Sequence, residues 1–140
     1  MAPLENFKSE KFFISPNTLQ VSHTGYLVGC HIQKTTLAAW RWEKTSQPCL
    51  KSPTKEELSV VRMFGSLQGQ DMLVCGTKKG KLQVYSLNTG ALLMETDSAH
   101  YLAITDLDVA KGTPWQGDLI ITGGKDTKVK IWTLAALLSV

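Results

Sequence analysis

The chain has 140 residues, of which 43% are hydrophobic and 19% are charged, so it is long and apolar enough for one globular domain with its own core. The formal net charge of +3 is too small to indicate a nucleic-acid-binding protein by itself. No apolar run approaches the roughly 18–20 residues of a membrane helix, and residues 1–6 lack the basic start and apolar centre of a secretory signal. These features predict an intracellular protein.

The cysteines and histidines show no pattern of a metal site or a catalytic centre. The chain has three of each: Cys30, Cys49, Cys75, His23, His31 and His100. The cysteines form no CxxC pair, which predicts buried, reduced thiols. The Gly76–Lys81 run resembles a phosphate-binding loop but lacks its residue spacing and its following helix. We therefore expect no enzymatic activity, no metal and no cofactor.

The first part of the chain predicts an extended segment followed by a first β unit. Residues 1–17 have little periodicity and are expected to pack as an extended segment on that unit. Residues 18–57 form the unit, with three strands that end at Trp42. The stretch 43–57 carries polar residues and two prolines, and it predicts a solvated, flexible loop.

A second unit covers residues 58–97. It begins with an apolar strand at 58–64, and a turn is expected over Gly65–Asp71. Two further strands follow. The run Ala91–Glu95 is compatible with a helix by composition, but the preceding Asn-Thr-Gly turn favours a fourth, outer strand.

The third unit covers residues 98–140. Its first strand is expected at Ile104–Val109, followed by a turn over Lys111–Asp118. The stretch Leu119–Leu134, LIITGGKDTKVKIWTL, then reads as two strands around a tight polar turn. The final apolar residues suggest a helix or the start of another strand.

The three units repeat the same pattern at a nearly constant spacing. Gly29, Gly76 and Gly123 are 47 residues apart in each case. A matching series of aromatic residues closes each unit: Trp40, Tyr85 and Trp132. A period of roughly 40–50 residues built from hairpins indicates an all-β array with radial or solenoidal symmetry.

The third unit resembles a WD repeat, and this resemblance implies an all-β WD-repeat β-propeller. In that family each blade joins a histidine, a serine or threonine, an aspartate and a tryptophan in one structural network. The matching positions here are His100, Thr122, Asp126 and Trp132. The same histidine, threonine and aspartate could form a catalytic triad, but a strand–turn–strand context favours the structural network.

The other two units depart from the family pattern. Lys79 stands where the third unit has Asp126, and no histidine precedes the second unit at the matching place. Three units also cannot close a ring of typically four to eight blades. We expect about three blades of a seven-bladed ring, present as a fragment or completed by other copies or a partner.

One subfamily resembles the chain more closely than WD repeats at large. The motifs that carry this resemblance are Ala99-His100-Tyr101, Gly124-Lys125-Asp126 and the run Leu73–Tyr85. They resemble the WD-repeat subunit of the fungal complex that matures the large ribosomal subunit precursor, and its animal counterpart. The resemblance implies a non-catalytic scaffold for spacer-RNA processing, located in the nucleolus and nucleoplasm.

The partners implied by this resemblance are protein subunits, among them a helical-repeat scaffold, and the large ribosomal subunit precursor. No membrane is implied. A generic WD-repeat adaptor in chromatin or ubiquitin ligation is the alternative.

Lysines on equivalent turns of the second and third units predict a basic rim. They are Lys78, Lys79, Lys81, Lys125, Lys128 and Lys130. Such a rim could contact RNA directly, but a solvated turn surface is the more common role of turn lysines. From the sequence we expect any RNA contact to be indirect.

Overall fold

The computed structural model describes residues 20–21, 26–30, 36–41, 50–67, 70–87, 89–113, 117–133 and 136. The expectations for residues 1–17, for His23, His31 and Cys49, and for the last four residues lie outside this described part. Within it, no helix is long and apolar enough to cross a membrane.

The described part folds into eleven strands, which form three antiparallel sheets. The strands are β1 (Gln20–Val21), β2 (Tyr26–Cys30), β3 (Thr36–Arg41), β4 (Leu50–Pro53), β5 (Leu58–Leu67), β6 (Gln70–Thr77), β7 (Leu82–Ser86), β8 (Leu92–Glu95), β9 (Ile104–Thr113), β10 (Gly117–Gly124) and β11 (Val129–Thr133). Sheet 1 has the order β1-β2-β3-β4, sheet 2 has β5-β6-β7-β8, and sheet 3 has β11-β10-β9. The all-β prediction is confirmed.

The predicted outer strand of the second unit is also confirmed. Strand β8 covers Leu92–Glu95 and pairs with β7 at the edge of sheet 2. Gly90, in the turn before it, has a φ of 75°, and the backbone N–H of Ser86 donates to the carbonyl of Ala91. The turn therefore sends the chain back along β7, and β pairing overrides the helical composition of this run.

Two predicted turns are wrong because the first hairpins of sheets 2 and 3 are longer than expected. Strands β5 and β6 continue through most of Gly65–Asp71, and β9 and β10 continue through much of Lys111–Asp118. Gly65 and Gly117 each lie at a register shift in the pairing. At a β-bulge a glycine accommodates the local irregularity and the pairing goes on, so these glycines mark bulges and not the ends of strands.

The loop predicted over residues 43–57 is also partly wrong, because β4 lies within it. Strand β4 pairs with β3, and Pro53 stands opposite Thr36. Since β4 is an edge strand and Pro53 its last residue, the missing proline N–H removes no hydrogen bond that the sheet requires. A proline therefore does not exclude a strand at this position.

Sheet 2 is buried on both faces because two apolar clusters lie on opposite sides of it. The sheet 1–2 core contains Leu37, Ala39, Leu58, Val61, Leu73, Cys75, Tyr85 and Leu87. The sheet 2–3 core contains Val60, Met72, Val74, Leu82, Val84, Met94, Ala99, Ile104, Leu107 and Ile120. All five residues of β7 are buried. Cys75 is fully buried, as the sequence indicates.

Sheet 3 presents one of its faces to solvent in the described part of the chain. Val129 is 73% exposed and Ile131 is 66% exposed. The residues 47 positions earlier, Leu82 and Val84, are fully buried in the sheet 2–3 core. The same repeat position is therefore core in sheet 2 and surface in sheet 3.

Two glycines at matching positions show this difference most sharply. A Cβ added to Gly76 would lie 2.6 Å from Cγ2 of Ile104 and 2.9 Å from Cγ1 of Val60. A Cβ added to Gly123 would meet no heavy atom within 4 Å. The close approach of sheets 2 and 3 therefore requires the absence of a side chain at residue 76, whereas residue 123 has no such requirement.

We predict that Gly76→Ala destabilises the protein by about 1–3 kcal/mol, because the new methyl group overpacks the contact with Ile104 and Val60. Urea unfolding followed by circular dichroism measures the free energy of unfolding. Gly123→Ala is the matched control and is expected to change it by less than about 0.5 kcal/mol. Equal losses for the two variants would contradict the close packing at Gly76.

Candidate functional site

The connection from sheet 2 to sheet 3 carries His100 and is fixed at both ends by backbone hydrogen bonds. The N–H of His100 donates to the carbonyl of Gly80 at 2.9 Å, in the turn between β6 and β7. The N–H of Lys125 donates to the carbonyl of Ala103 at 2.9 Å, in the turn between β10 and β11. The connection therefore lies between two hairpin turns, one from each sheet.

Gly80 makes this close approach possible. Its φ is +88°, and a Cβ at this residue would lie 2.1 Å from the carbonyl oxygen of His100. The residue 47 positions later is Thr127, which has a φ of 68°. A β-branched residue rarely adopts a positive φ, so this turn holds Thr127 in an unfavourable backbone conformation.

The structure joins the four residues of the WD-type motif through hydrogen bonds between their side chains. Nδ1 of His100 lies 3.0 Å and 3.1 Å from the two carboxylate oxygens of Asp126. Nε2 of the same ring lies 2.7 Å from Oγ1 of Thr122. The indole N–H of Trp132 donates to that hydroxyl at 3.1 Å. We call these four side chains the His100 network.

The donors and acceptors of the His100 network match in one simple arrangement. A carboxylate only accepts hydrogen bonds, so Nδ1 of His100 carries the proton that is donated to Asp126. In a neutral ring, Nε2 then accepts the hydroxyl proton of Thr122, whose oxygen accepts from Trp132. Every polar group in this series of hydrogen bonds, from the indole of Trp132 to the carboxylate of Asp126, has a partner.

The same geometry would suit a catalytic triad, but the side chains are closed to substrate. His100 is 2% exposed and Thr122 is fully buried. The Thr122 hydroxyl also accepts the indole proton, so it is held within the network. The arrangement can orient β10, β11 and the connection before β9 relative to one another, and that is a structural role.

Asp126 is the charged end of the network and also accepts backbone hydrogen bonds. Its carboxylate oxygens accept the N–H groups of Tyr101 and Lys128, both at 3.1 Å. Desolvation raises the pKa of Asp126, but the hydrogen bond from His100 and those from the two backbone N–H groups outweigh it. The pKa falls from 3.8 to about 2.

Gly124 and Lys130 also contact the His100 network, a role that the sequence analysis did not assign to them. A Cβ at Gly124 would lie 2.6 Å from Nδ1 of His100, so only glycine fits beside the ring. The ammonium group of Lys130 donates to the carbonyl of Ala99 at 2.6 Å and lies 5.9 Å from the centre of the Trp132 ring. The Gly-Gly pair in the sequence is the signal that could have indicated the first of these.

Sheet 2 has a different set of hydrogen-bonded polar side chains at the place where sheet 3 has the His100 network. The hydroxyl of Tyr85 donates to the side-chain carbonyl of Gln83 at 2.8 Å, and the Gln83 amide donates to Glu95 at 2.5 Å. The ammonium of Lys81 lies 3.4 Å from Glu95 and 3.0 Å from Glu56. The hydrogen bond from Gln83 is the main cause that lowers the pKa of Glu95. The hydrogen bond from Lys81 to Glu56 is the main cause that raises the pKa of Lys81.

The predicted basic rim is divided by the structure into paired and unpaired lysines. Lys78 lies 2.9 Å from Glu57, Lys81 contacts two glutamates, and Lys130 lies against Trp132. The remaining three are exposed, and the described residues provide no ion pair for them: Lys79, Lys125 and Lys128. Among the described residues, no group of three or more His, Cys, Asp or Glu side chains could hold a metal ion.

We predict that Thr122→Val lowers the free energy of unfolding by about 2–4 kcal/mol, although the shape of the side chain is kept. The substitution removes the partner of both Nε2 of His100 and the indole N–H of Trp132. Thr122→Ser keeps the hydroxyl and loses one methyl group, so a loss of about 1 kcal/mol is expected. Urea unfolding of both variants measures the difference, and equal losses would contradict the network.

The lowered pKa of Asp126 predicts that part of the stability depends on pH. A carboxyl group with a lower pKa in the folded state stabilises the fold above its unfolded pKa of 3.8, and this contribution is lost as the pH falls towards about 2. Urea unfolding of the wild type and of Asp126→Asn across this range measures the effect. The wild type is expected to be more stable above pH 3.8, and the difference should shrink as the pH falls. If the difference in stability between the two proteins did not change with pH, the lowered pKa of Asp126 would be contradicted.

Comparison with curated proteins finds relatives that share part of the chain. It is 42% identical to the pre-rRNA-processing protein IPI3 of Candida albicans over 69 residues, which are 49% of this chain and 13% of that protein. It is 36% identical to the human WD repeat-containing protein 3 over 91 residues, 65% of this chain and 9% of that protein. The U3 small nucleolar RNA-associated protein 12 of Saccharomyces cerevisiae is 35% identical over 66 residues, 47% of this chain and 7% of that protein.

The matched part is a small share of each of these relatives, between 7% and 13% of their length. No family model matches the chain. Among solved structures, the computationally designed protein Ika8 has a similar fold, with a TM-score of 0.63 and 22% identity. The likeness covers 83% of this chain and 32% of that structure. The chain is therefore similar to WD-repeat proteins over part of its length, and its three antiparallel sheets have the fold of a β-propeller segment.

Proposed function

We propose that this chain is part of a non-catalytic scaffold that acts in pre-rRNA processing, in the maturation of the large ribosomal subunit precursor and its spacer RNA. The observation that carries the proposal is the 42% identity to a pre-rRNA-processing protein over half of the chain. A relative named for its association with the U3 small nucleolar RNA gives independent support, since its name also refers to an RNA of the nucleolus.

The burial of the His100 network supports a scaffold over an enzyme. The set of side chains that most resembles a catalytic centre has its hydroxyl fully buried and bonded to Trp132. Its hydrogen bonds hold a connection between two sheets, which is what a scaffold requires of its blades. In the described part of the chain, the surface that remains for binding includes the exposed face of sheet 3, the hairpin turns and the sheet edges.

The partners in this proposal are proteins of a ribosome-maturation complex, among them a helical-repeat scaffold subunit, together with the large-subunit precursor. The site of action is the nucleus, in the nucleolus and nucleoplasm. Exposed apolar residues outside the two cores support protein partners: Leu92 and Leu93 on β8 are 37% and 46% exposed. Exposed apolar groups of this kind often contribute to interfaces.

Affinity purification of the tagged full-length protein from its own cells tests the proposal. We expect mass spectrometry to recover large-subunit ribosomal proteins and assembly factors, and sequencing to recover spacer-containing RNA. A Gly76→Leu variant, whose packing between sheets 2 and 3 is disrupted, controls for nonspecific capture. Recovery of chromatin or ubiquitin-ligase subunits without precursor RNA would overturn the proposal in favour of a generic WD-repeat adaptor.

A further inference from the structure

The most exposed large apolar side chain in the described part of the chain is an aromatic ring beside the His100 network. Tyr101 is 88% exposed, and the next residue, Leu102, is 46% exposed. The His100 network does not use the tyrosine side chain, because only the backbone N–H of Tyr101 donates to Asp126. A ring this exposed is not buried against the described residues and is accessible to a ligand.

Each of the two turns that hold the connection with this ring carries an exposed lysine for which the described residues provide no ion pair. Lys79 precedes Gly80, whose backbone lies against the carbonyls of His100 and Leu102. Lys125 donates its backbone N–H to Ala103. The Tyr101–Leu102 segment is thus held between turns of two different sheets, and each turn has a lysine. We call the four residues Lys79, Tyr101, Leu102 and Lys125 the Tyr101 patch.

Two carboxylates on the turns or strands next to the Tyr101 patch, those of Asp126 and Glu57, are already engaged. The side chain of Asp126 is only 7% exposed, and its oxygens accept from His100 and from two backbone N–H groups. Glu57 forms an ion pair with Lys78, which is the residue before Lys79. The positive charge of Lys79 and of Lys125 is therefore not cancelled by these acids.

An aromatic ring flanked by lysines has the chemistry of a single-stranded RNA contact. Bases stack on exposed aromatic faces, and ammonium groups bind the phosphates on either side. Protein–protein interfaces are enriched in tyrosine but depleted in lysine, so it is the two lysines that favour RNA over a protein partner. The sequence alone left open a direct RNA contact by the basic rim but favoured a solvated lysine surface, and the exposure of Tyr101 between the two turns is the added observation.

We propose that the Tyr101 patch binds single-stranded RNA, with a base stacked on Tyr101 and phosphates on Lys79 and Lys125. The choice of RNA among polyanions rests on the proposed function in pre-rRNA processing. The inference deepens that function, because the chain would contact the transcript itself and not only other proteins.

Fluorescence anisotropy with a labelled oligouridylate and the purified full-length protein tests this proposal. Tyr101→Ala is expected to weaken binding roughly 5-fold to 150-fold, the range for loss of one stacked base. Tyr101→Phe keeps the ring and should bind like the wild type. Leu93→Ala, an exposed apolar residue on the outer strand β8, is the matched control and should have no effect.

The salt dependence of binding tests the lysines separately. Lys79→Ala is expected to lower the slope of log K against log salt by about 0.7, the value for one lost phosphate contact on a single strand. Lys78→Ala removes the same charge from the same turn, but Lys78 is already paired with Glu57, so a smaller change is expected. Thermal unfolding shows whether each variant is folded, and Tyr101 is exposed enough that its substitution should leave the fold intact.

Several results would overturn the proposal. They are no binding of RNA by the folded protein, equal binding by the wild type and Tyr101→Ala, or equal loss in Tyr101→Phe and Tyr101→Ala. If Tyr101→Ala instead lost a protein from the purified complex while RNA binding was absent, the patch would be a protein-binding surface. Recovery of precursor particles from cells without RNA binding in solution would reject this inference and leave the proposed function standing.

Discussion

The burial of sheet 2 on both faces is the constraint on which the rest of the structure depends. Its strands place Leu73 and Tyr85 in the sheet 1–2 core and Val74 and Val84 in the sheet 2–3 core. A strand with both faces buried has no solvent-facing side for polar residues, and β7 is accordingly buried at all five positions. The polar Gln83 within it is tolerated because Tyr85 and Glu95 satisfy its amide.

The His100 network is a consequence of this packing between sheets. Sheet 3 can approach sheet 2 closely only because Gly76 has no side chain, and the connection between them must then pass tightly over Gly80. A connection in that position buries the histidine ring, and a buried ring requires partners for both nitrogens. Thr122 and Asp126 provide them from the strand and the turn of sheet 3. The charged and polar residues of the motif are therefore placed by the apolar ones.

The sequence predicted the repeated parts of this structure well and the irregular parts poorly. The 47-residue spacing marks hairpins with the same backbone path, so it indicated the all-β fold. The resemblance of the third unit to a WD repeat named the four residues that hydrogen bonds join. It could not indicate that Gly65 and Gly117 lie at bulges, because a glycine suits both a bulge and a turn. Nor could it separate Lys81 and Lys130 from the solvent-facing lysines, since their contacts to Glu56, Glu95 and Ala99 arise from side-chain positions across strands.

Both apolar cores join sheets that follow each other along the chain, and this affects how stability is distributed. When each unit contacts mainly its neighbours in sequence, the free energy resembles a sum of unit terms and nearest-neighbour couplings. Sheet 2 takes part in two such couplings within the described residues, and opening it would break both. Local opening therefore costs the least free energy away from sheet 2. The backbone amides of sheet 2 should exchange hydrogen with solvent only in the rarest openings. Sheet 2, in the middle of the chain, thus stabilises both sheet 1 and sheet 3.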